Sequence, residues 1–349
     1  MAERRGLWIG TYTPGSVPAG SGAGIHRVLL DTGTGELSGG DPAAAVEGAS
    51  FLAAHPRGGL LYAVSELDAG RVTGFAVDGA RAPAEAGSAP TGGGSPCHVA
   101  VHPAGRHIIT ANYADGSVGV HRLDAAGVPG TPQVLTHSGS GPVADRQERP
   151  HAHSTAVAPG GAHLLIADLG TDELRCHAFD PRAPEPAGPA STAARLAPGT
   201  GPRHMAVHPS GHIFVAGELD ARVHVLRWDP ATATAAAVAA VPAGAEAGDH
   251  PSEIALSDDG ARLYVANRGS DTIAAFAVAD GGADLRPLGH VPAGGAWPRH
   301  FTLIGDLVVV AAQHDGVLAV LRVDPHSGVP ADTGHRLAVP DPACVLAAW

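Results

Sequence analysis

The stretch CHVAVHPAGRHIITANYADGSVGVHRLD, residues 97–124, reads as an apolar strand, a turn at HPAG, a second apolar strand, a polar turn at ADG, and an alternating strand ending on Asp124. Pro and Gly at the first turn and Asp-Gly at the second supply the backbone angles that tight hairpins need. The layout recurs on both sides. Upstream lies SFLAAHPRGGLLYAVSELDAGRVTGFAVD from Ser50. Downstream lie HSTAVAPGGAHLLIADLGTDELRCHAFD from His153, RHMAVHPSGHIFVAGELDARVHVLRWD from Arg203, SEIALSDDGARLYVANRGSDTIAAFAVAD from Ser252 and RHFTLIGDLVVVAAQHDGVLAVLRVD from Arg299. The closing aspartates Asp78, Asp124, Asp180, Asp229, Asp280 and Asp324 lie 44 to 56 residues apart, room for four short strands per unit.

A seventh unit forms if the chain ends are joined: Trp8 to Thr13 supplies a second strand, Ile25 to Asp31 a third, and Ala343 to Trp349 the missing first. Such a split unit closes a ring and hides edge strands that would otherwise be exposed. The expected fold is therefore all-β: one seven-bladed β-propeller of four-stranded blades over residues 1–349, closed by pairing N- and C-terminal strands in one blade. A β-solenoid would have shorter rungs than these repeats, and a two-sheet sandwich is the other alternative. The Ala/Pro-rich stretches 181–199 and 230–248 fall between units and read as outer strands and connecting loops.

Composition excludes several classes of function. The 349 residues carry a formal charge of −12 and no clustered basic surface, which argues against nucleic acid and anionic membranes as partners. All 22 basic residues are Arg and none is Lys, which removes Schiff-base chemistry and a Walker-type lysine. Cys97, Cys176 and Cys344 are far apart and odd in number, so they read as small core residues rather than a disulfide framework or zinc knuckle. No secretory signal and no run of about 20 apolar residues is legible, so a cytoplasmic location is the expectation, and because a closed propeller has no free sheet edge, so is a monomer.

In a propeller the first strand of each blade lines the central channel, so aligned repeats stack positions into columns. One column holds Ser50, Cys97, His153, Arg203, Ser252 and Arg299; the next holds Phe51, His98, Ser154, His204, Glu253 and His300. A structural repeat alone calls for small or apolar residues there. Arg forks bind carboxylate or phosphate, and His titrates near neutral pH, so the set suits a small anionic substrate and proton transfer. The bland alternative is that these side chains bond neighbouring-blade carbonyls and fill a wet channel. A further column closes the second strands: Tyr12, Glu66, Tyr113, Leu169, Glu218, Arg268 and His314. Its predecessor, Thr11, Ser65, Asn112, Asp168, Asn267 and Gln313, reads as turn-forming. The HAH at 151–153 has i,i+2 spacing without an H-E-x-x-H frame or paired carboxylate, so no metal or organic cofactor is expected.

The strings GTYT (10–13), SPCHVAVHPAGR (95–106), RPHAHS (149–154), GPRHMAVHPSG (201–211), GELD (217–220), YVANRGSDTI (264–273) and PRHF (298–301), in this order, resemble the lactonase family of seven-bladed propellers. That family includes bacterial 6-phosphogluconolactonases and a fungal carboxymuconate-lactonising enzyme. The resemblance implies a catalytic set of His151 or His153, Arg203, Glu218 and Arg299, with His98, His204, Glu253, Arg268 and His300 from the columns as substrate-binding candidates. The family's Asn before the Glu is Gly217 here, a departure that bears on how Glu218 is held.

Three functions are compatible with this reading. The leading one is hydrolysis of a sugar lactone, 6-phosphogluconolactone, with two arginines on the anionic group and oxyanion and a His153 or Glu218 base. The second is a cycloisomerase or lactonising step on an unsaturated acid. The third is a non-enzymatic interaction propeller, whose repeated Trp-Asp endings are missing apart from Trp228-Asp229.

Overall fold

The Pro, Gly and Asp punctuation breaks the chain into short strands that pair in sequence order, forming seven antiparallel sheets of four. The computed structural model describes residues 3–78, 82–244 and 248–348. The inner strands of blades 1 to 7 are Leu52–Ala54, Pro96–Val101, Ala152–Val157, Pro202–Val207, His250–Leu256, Pro298–Ile304 and Pro342–Ala347. Each packs against the next and the last against the first, closing the ring. Blade 7 is the split one: Pro342–Ala347 pairs with Arg4–Thr11, with Leu7 opposite Ala347 and Gly10 opposite Cys344. The outer strands Ala187–Arg195 and Thr234–Pro242 occupy the Ala/Pro-rich stretches as expected. Residues 245–247 and Trp349 lie outside the described residues.

Local chemistry explains the HPxG turns. In blades 1, 2 and 4 the turn histidines His55, His102 and His208 accept a hydrogen bond through Nδ1 from the backbone N–H two residues on, at 3.2, 3.2 and 3.1 Å. Gly105 and Gly211 then take positive φ (66° and 90°), which only glycine adopts without strain. Between blades the apolar faces interdigitate: Phe214 and Val225 of blade 4 pack with Ile254, Val265 and Phe276 of blade 5. Such large buried side chains each stabilise the fold by about 1.5–3 kcal/mol, which leaves the channel free to carry polar groups.

One irregularity positions those groups. In six blades the register slips where the inner strand begins, so that an extra residue is inserted opposite the second strand. The slips fall between Pro96 and His98, Ala152 and Ser154, Pro202 and Met205, Pro251 and Ile254, and Pro298 and His300. A bulge leaves its extra residue outside the ladder and re-aims the neighbouring side chains. Consecutive residues that would alternate faces in a regular strand, such as Arg203 and His204, can thus both serve the channel. Of the first sequence column, Cys97, His153, Arg203, Ser252 and Arg299 lie within these bulges, and Ser50 of blade 1 precedes an inner strand without one.

Candidate active site

The bulged strand ends and the residues closing the second strands meet at one mouth of the channel. They surround a cavity of about 430 Å³ lined by Glu66, Ser95, Cys97, Tyr113, Arg146, His153, Glu218, His250, Arg268, Trp297 and Arg299, with Val17 and Pro18 at its edge. Below it a narrow compartment reaches Tyr12, Ser50, Arg203, His204 and His300.

Glu218 of blade 4 is the electrostatic centre of one wall. Its Oε2 lies 3.0 Å from Arg203 Nε and 2.8 Å from Arg268 Nη2, and its Oε1 accepts a hydrogen bond of 2.5 Å from Arg146 Nη2. Burial alone would raise the Glu218 pKa, but Arg268 and Arg203, with His153 and Arg146, hold it well below the usual carboxylate range. Burial lowers Arg268 to about 9 despite its contact with Glu218. Arg203 Nε and Nη1 and Arg268 Nη2 lack well-directed hydrogen bonds, so these ion pairs leave donors unspent in the site. Gly217, where the family has Asn, is filled from the side: a Cβ there would lie 2.1 Å from Asp220 Oδ1. Asp220 in turn bonds Thr200 and His224 at 3.1 and 2.8 Å. Glu218 is therefore held by its arginines, and its backbone N–H is anchored on the Gly201 carbonyl at 2.9 Å.

The wall formed by blades 6, 7 and 1 is different. The Tyr12 hydroxyl donates to Glu66 Oε2 at 3.0 Å, and the Arg299 guanidinium lies 4.9 Å from the Tyr12 ring centre. Among the described residues Arg299 makes no ion pair or hydrogen bond through its guanidinium. Burial raises Glu66, and Arg299, Ser50 and Tyr12 only partly offset that rise. Two carboxylates of one cavity thus have environments that push them in opposite directions, the pattern by which sites separate acid and base roles.

His153 lines the cavity and is kept neutral: burial, then Arg203 and His204, push it well below the ordinary histidine value. Its Nδ1 lies 3.8 Å from Cys97 Sγ. Burial raises the Cys97 thiol, so it stays protonated and is no nucleophile. All three cysteines are buried and free, as expected, although Cys97 also faces the cavity.

His98, His204, Glu253 and His300 lie deeper, away from the mouth. His204 Nδ1 and His300 Nε2 reach Glu253 Oε2 at 2.7 and 3.3 Å. His98, His204 and His300 pack around Phe51, with ring centres 4.4, 5.7 and 5.4 Å from it. Burial lowers all three imidazoles, His300 to about 4. Together they plug the channel beneath the site, and of the five substrate-binding candidates only Arg268 lines the mouth cavity. His151 stands behind the wall rather than on it. It stacks on Tyr113 (4.5 Å, 20°), donates through Nδ1 to the Tyr113 carbonyl at 2.7 Å and meets Glu148 Oε2 at 3.1 Å.

Several lining residues escaped the candidate list. Glu66 and Tyr113 stood in the second-strand column without being chosen. Arg146 belongs to the non-repeating segment before HAH, which falls in the longest of the five spacings between closing aspartates, and that extra length was its only signal. Trp297 stacks on His314 (4.7 Å, 8°) and carries Arg268 over its ring at 5.3 Å. Of the residues read as turn-forming, Asp168 and Asn112 bond within their turns: Asp168 Oδ1 accepts the His151 and Gly170 N–H groups at 2.8 and 3.1 Å, and Asn112 bonds Ser117 at 2.9 Å.

The chain matches the family described as "Lactonase, 7-bladed beta-propeller" over residues 6–347. It is 30% identical over 352 aligned positions to a 6-phosphogluconolactonase of Bacillus subtilis (strain 168), covering 97% of each chain. It is 26% identical to one of Formosa agariphila, covering 92% of this chain and 93% of that one. The structure superposes on the periplasmic gluconolactonase PpgL of Pseudomonas aeruginosa with a TM-score of 0.92 at 28% identity, over 99% of both chains. Relatives named for lactone hydrolysis thus share both the sequence and the architecture. With its bulge-borne cationic mouth and closed ring, this chain belongs to the lactonase family of seven-bladed β-propellers.

Proposed function

We propose that the protein hydrolyses 6-phosphoglucono-δ-lactone to the open acid at the mouth cavity. The observation that carries this reading is Arg299: a guanidinium on the cavity wall with no carboxylate partner, beside three others gathered on Glu218. An unpaired guanidinium in a semi-enclosed site is a ready fork for a phosphate or carboxylate. The cavity lining holds Arg146, Arg268 and Arg299 against Glu66 and Glu218, a cationic balance in a chain of charge −12.

The two walls divide the work. A water between His153 and the ring carbonyl loses its proton to the neutral imidazole as it attacks C1. Charge developing on the carbonyl oxygen is met by Arg268 on the cavity wall and by Arg203 at the compartment beneath it, both fixed in advance by Glu218, so little reorganisation is needed as it develops. Glu218 acts as the holder of guanidiniums rather than as the base, because three cations stabilise its ionised form. Trp297, Val17 and Pro18 line the cavity and give the sugar ring an apolar edge.

The test is acid release from 6-phosphoglucono-δ-lactone above its spontaneous opening, with mass analysis of the product. Hydrolysis adds one water, whereas an isomerase adds nothing. Arg203→Ala is expected to abolish the enzymatic rate while the propeller stays folded; retained activity would remove Arg203 from the mechanism.

A further inference from the structure

Hydrolysis of a δ-lactone needs a second proton transfer. When the tetrahedral intermediate collapses, the C1–O5 bond breaks and O5 leaves as an alkoxide, a poor leaving group until it is protonated. Glu218 does not supply that proton, because it is ionised against three guanidiniums. The imidazolium formed at His153 can return its proton only toward its own side of the ring. A donor across the ring from His153 would act on O5 directly and leave that proton in place.

Glu66 occupies that position. It follows the second strand of blade 1 and Glu218 follows that of blade 4, so in a ring of seven the two carboxylates face each other across the channel. Glu66 lines both the mouth cavity and the compartment beneath it. The Tyr12 hydroxyl donates to its Oε2 at 3.0 Å, which directs an acidic proton to Oε1. Arg299 lies over the same Tyr12 ring at 4.9 Å. In the 1,5-lactone O5 and the C6 phosphate arm share carbon C5. A substrate with its phosphate on Arg299 therefore brings O5 to the neighbourhood of Tyr12 and Glu66, with C1 toward His153 and Arg203.

On this geometry, and resting on the lactone-hydrolase reading above, we propose that Glu66 is a catalytic residue: the general acid that protonates the departing O5, with Tyr12 as its positioning residue. As the C1–O5 bond breaks, its electron pair goes to O5 and the Glu66 carboxyl proton follows. Glu66 is left as carboxylate and His153 as imidazolium. A proton then passes from His153 to Glu66 through water in the cavity, and the product acid gives its own proton to solvent. The groups around Glu66 are Tyr12, Arg299, Cys97, Arg203 and Ser50. Burial among them favours the protonated acid that this step requires, against the pull of both arginines.

The experiment compares wild type, Glu66→Gln and Tyr12→Phe on 6-phosphoglucono-δ-lactone, measuring kcat, KM and the pH profile of kcat after background correction, with Tm for each. General acids contribute about 10²–10⁴-fold. Glu66→Gln is expected to lower kcat by that order with KM within about threefold, and to erase the alkaline fall of the wild-type kcat profile. Tyr12→Phe removes a hydrogen bond to the ionised form, so its alkaline limb moves to higher pH. Glu66→Gln with kcat within threefold of wild type, or with an unchanged alkaline limb, overturns the proposal. Should Glu66→Gln lose its fold, Tyr12→Phe decides: an upward-shifted limb supports the proposal and an unmoved one refutes it. A wild type that does not hydrolyse the lactone at all defeats the functional reading itself, a result distinct from either variant outcome.

Discussion

Replacing Arg299 by Ala separates substrate anchoring from scaffold. Its guanidinium touches the Tyr12 ring and makes no ion-pair contact with a carboxylate, so truncation breaks no buried ion pair, and losing this cation only favours the protonated form of Glu66 further. The lost cation–π contact costs about 0.5–2 kcal/mol, offset in part by removal of a desolvated charge. At about 2–4 °C per kcal/mol for a large domain, Tm should stay within about 4 °C of wild type. Binding is affected more. Hydrogen bonds to a charged group contribute about 1.5–3 kcal/mol, and each 1.4 kcal/mol is about tenfold. KM for the phosphorylated lactone should therefore rise about 10- to 150-fold, while KM for unphosphorylated gluconolactone barely moves. Arg299→Lys keeps the charge without the fork and should recover only part of the loss. The assay is initial-rate acid release on both lactones, background subtracted, alongside thermal melts. Equal KM increases for both lactones, or none for the phosphorylated one, would refute Arg299 as the phosphate anchor.

The other predictions concern the neighbouring groups. Glu218→Gln leaves three guanidiniums without their anion; breaking a buried pair costs about 3–5 kcal/mol, so Tm should fall by roughly 6–20 °C along with activity, and an unchanged Tm would contradict the holding role. Cys97→Ala should keep kcat within about twofold, since the thiol is buried and protonated; complete loss in a folded variant would reinstate it. His300 and His121 each have a folded pKa of about 4 against an ordinary value of 6.5. Between those values the unfolded chain binds more protons, so stability falls as pH drops from 6.5 to 4 and levels off below 4, by at most about 3 kcal/mol per group. Urea midpoints at pH 7, 5.5 and 4.5 measure the slope, and a flat profile would contradict the buried neutral imidazoles.

Blade number, strand order and ring closure were legible because hairpin turns carry local signatures, and His55, His102 and His208 repeat with their turns. The channel columns were legible for the same reason: a column is a repeat position. Why two adjacent columns both serve the channel was not, because bulges arise from strand pairing, although a proline stands at the slip in five of the six bulged blades: Pro96, Pro202, Pro251, Pro298 and Pro342. Alignment also gave no depth along the channel, so His98, His204, Glu253 and His300 stood beside Arg203 and Arg299 although they form the plug below. Arg146 comes from a segment outside the repeat and could not be aligned. Glu66 was in view, but its distinction from Glu218 depends on surroundings: three cations around one carboxylate, a phenol and a more distant arginine around the other.

The central claim is most directly tested by the enzymatic opening of 6-phosphoglucono-δ-lactone and of gluconolactone by wild-type protein, each corrected for spontaneous hydrolysis. The arrangement around Arg299 predicts fast catalysis with a kcat/KM for the phosphorylated lactone at least tenfold above that for the unphosphorylated one. Rates no greater than background on both lactones would contradict lactone hydrolysis at this mouth.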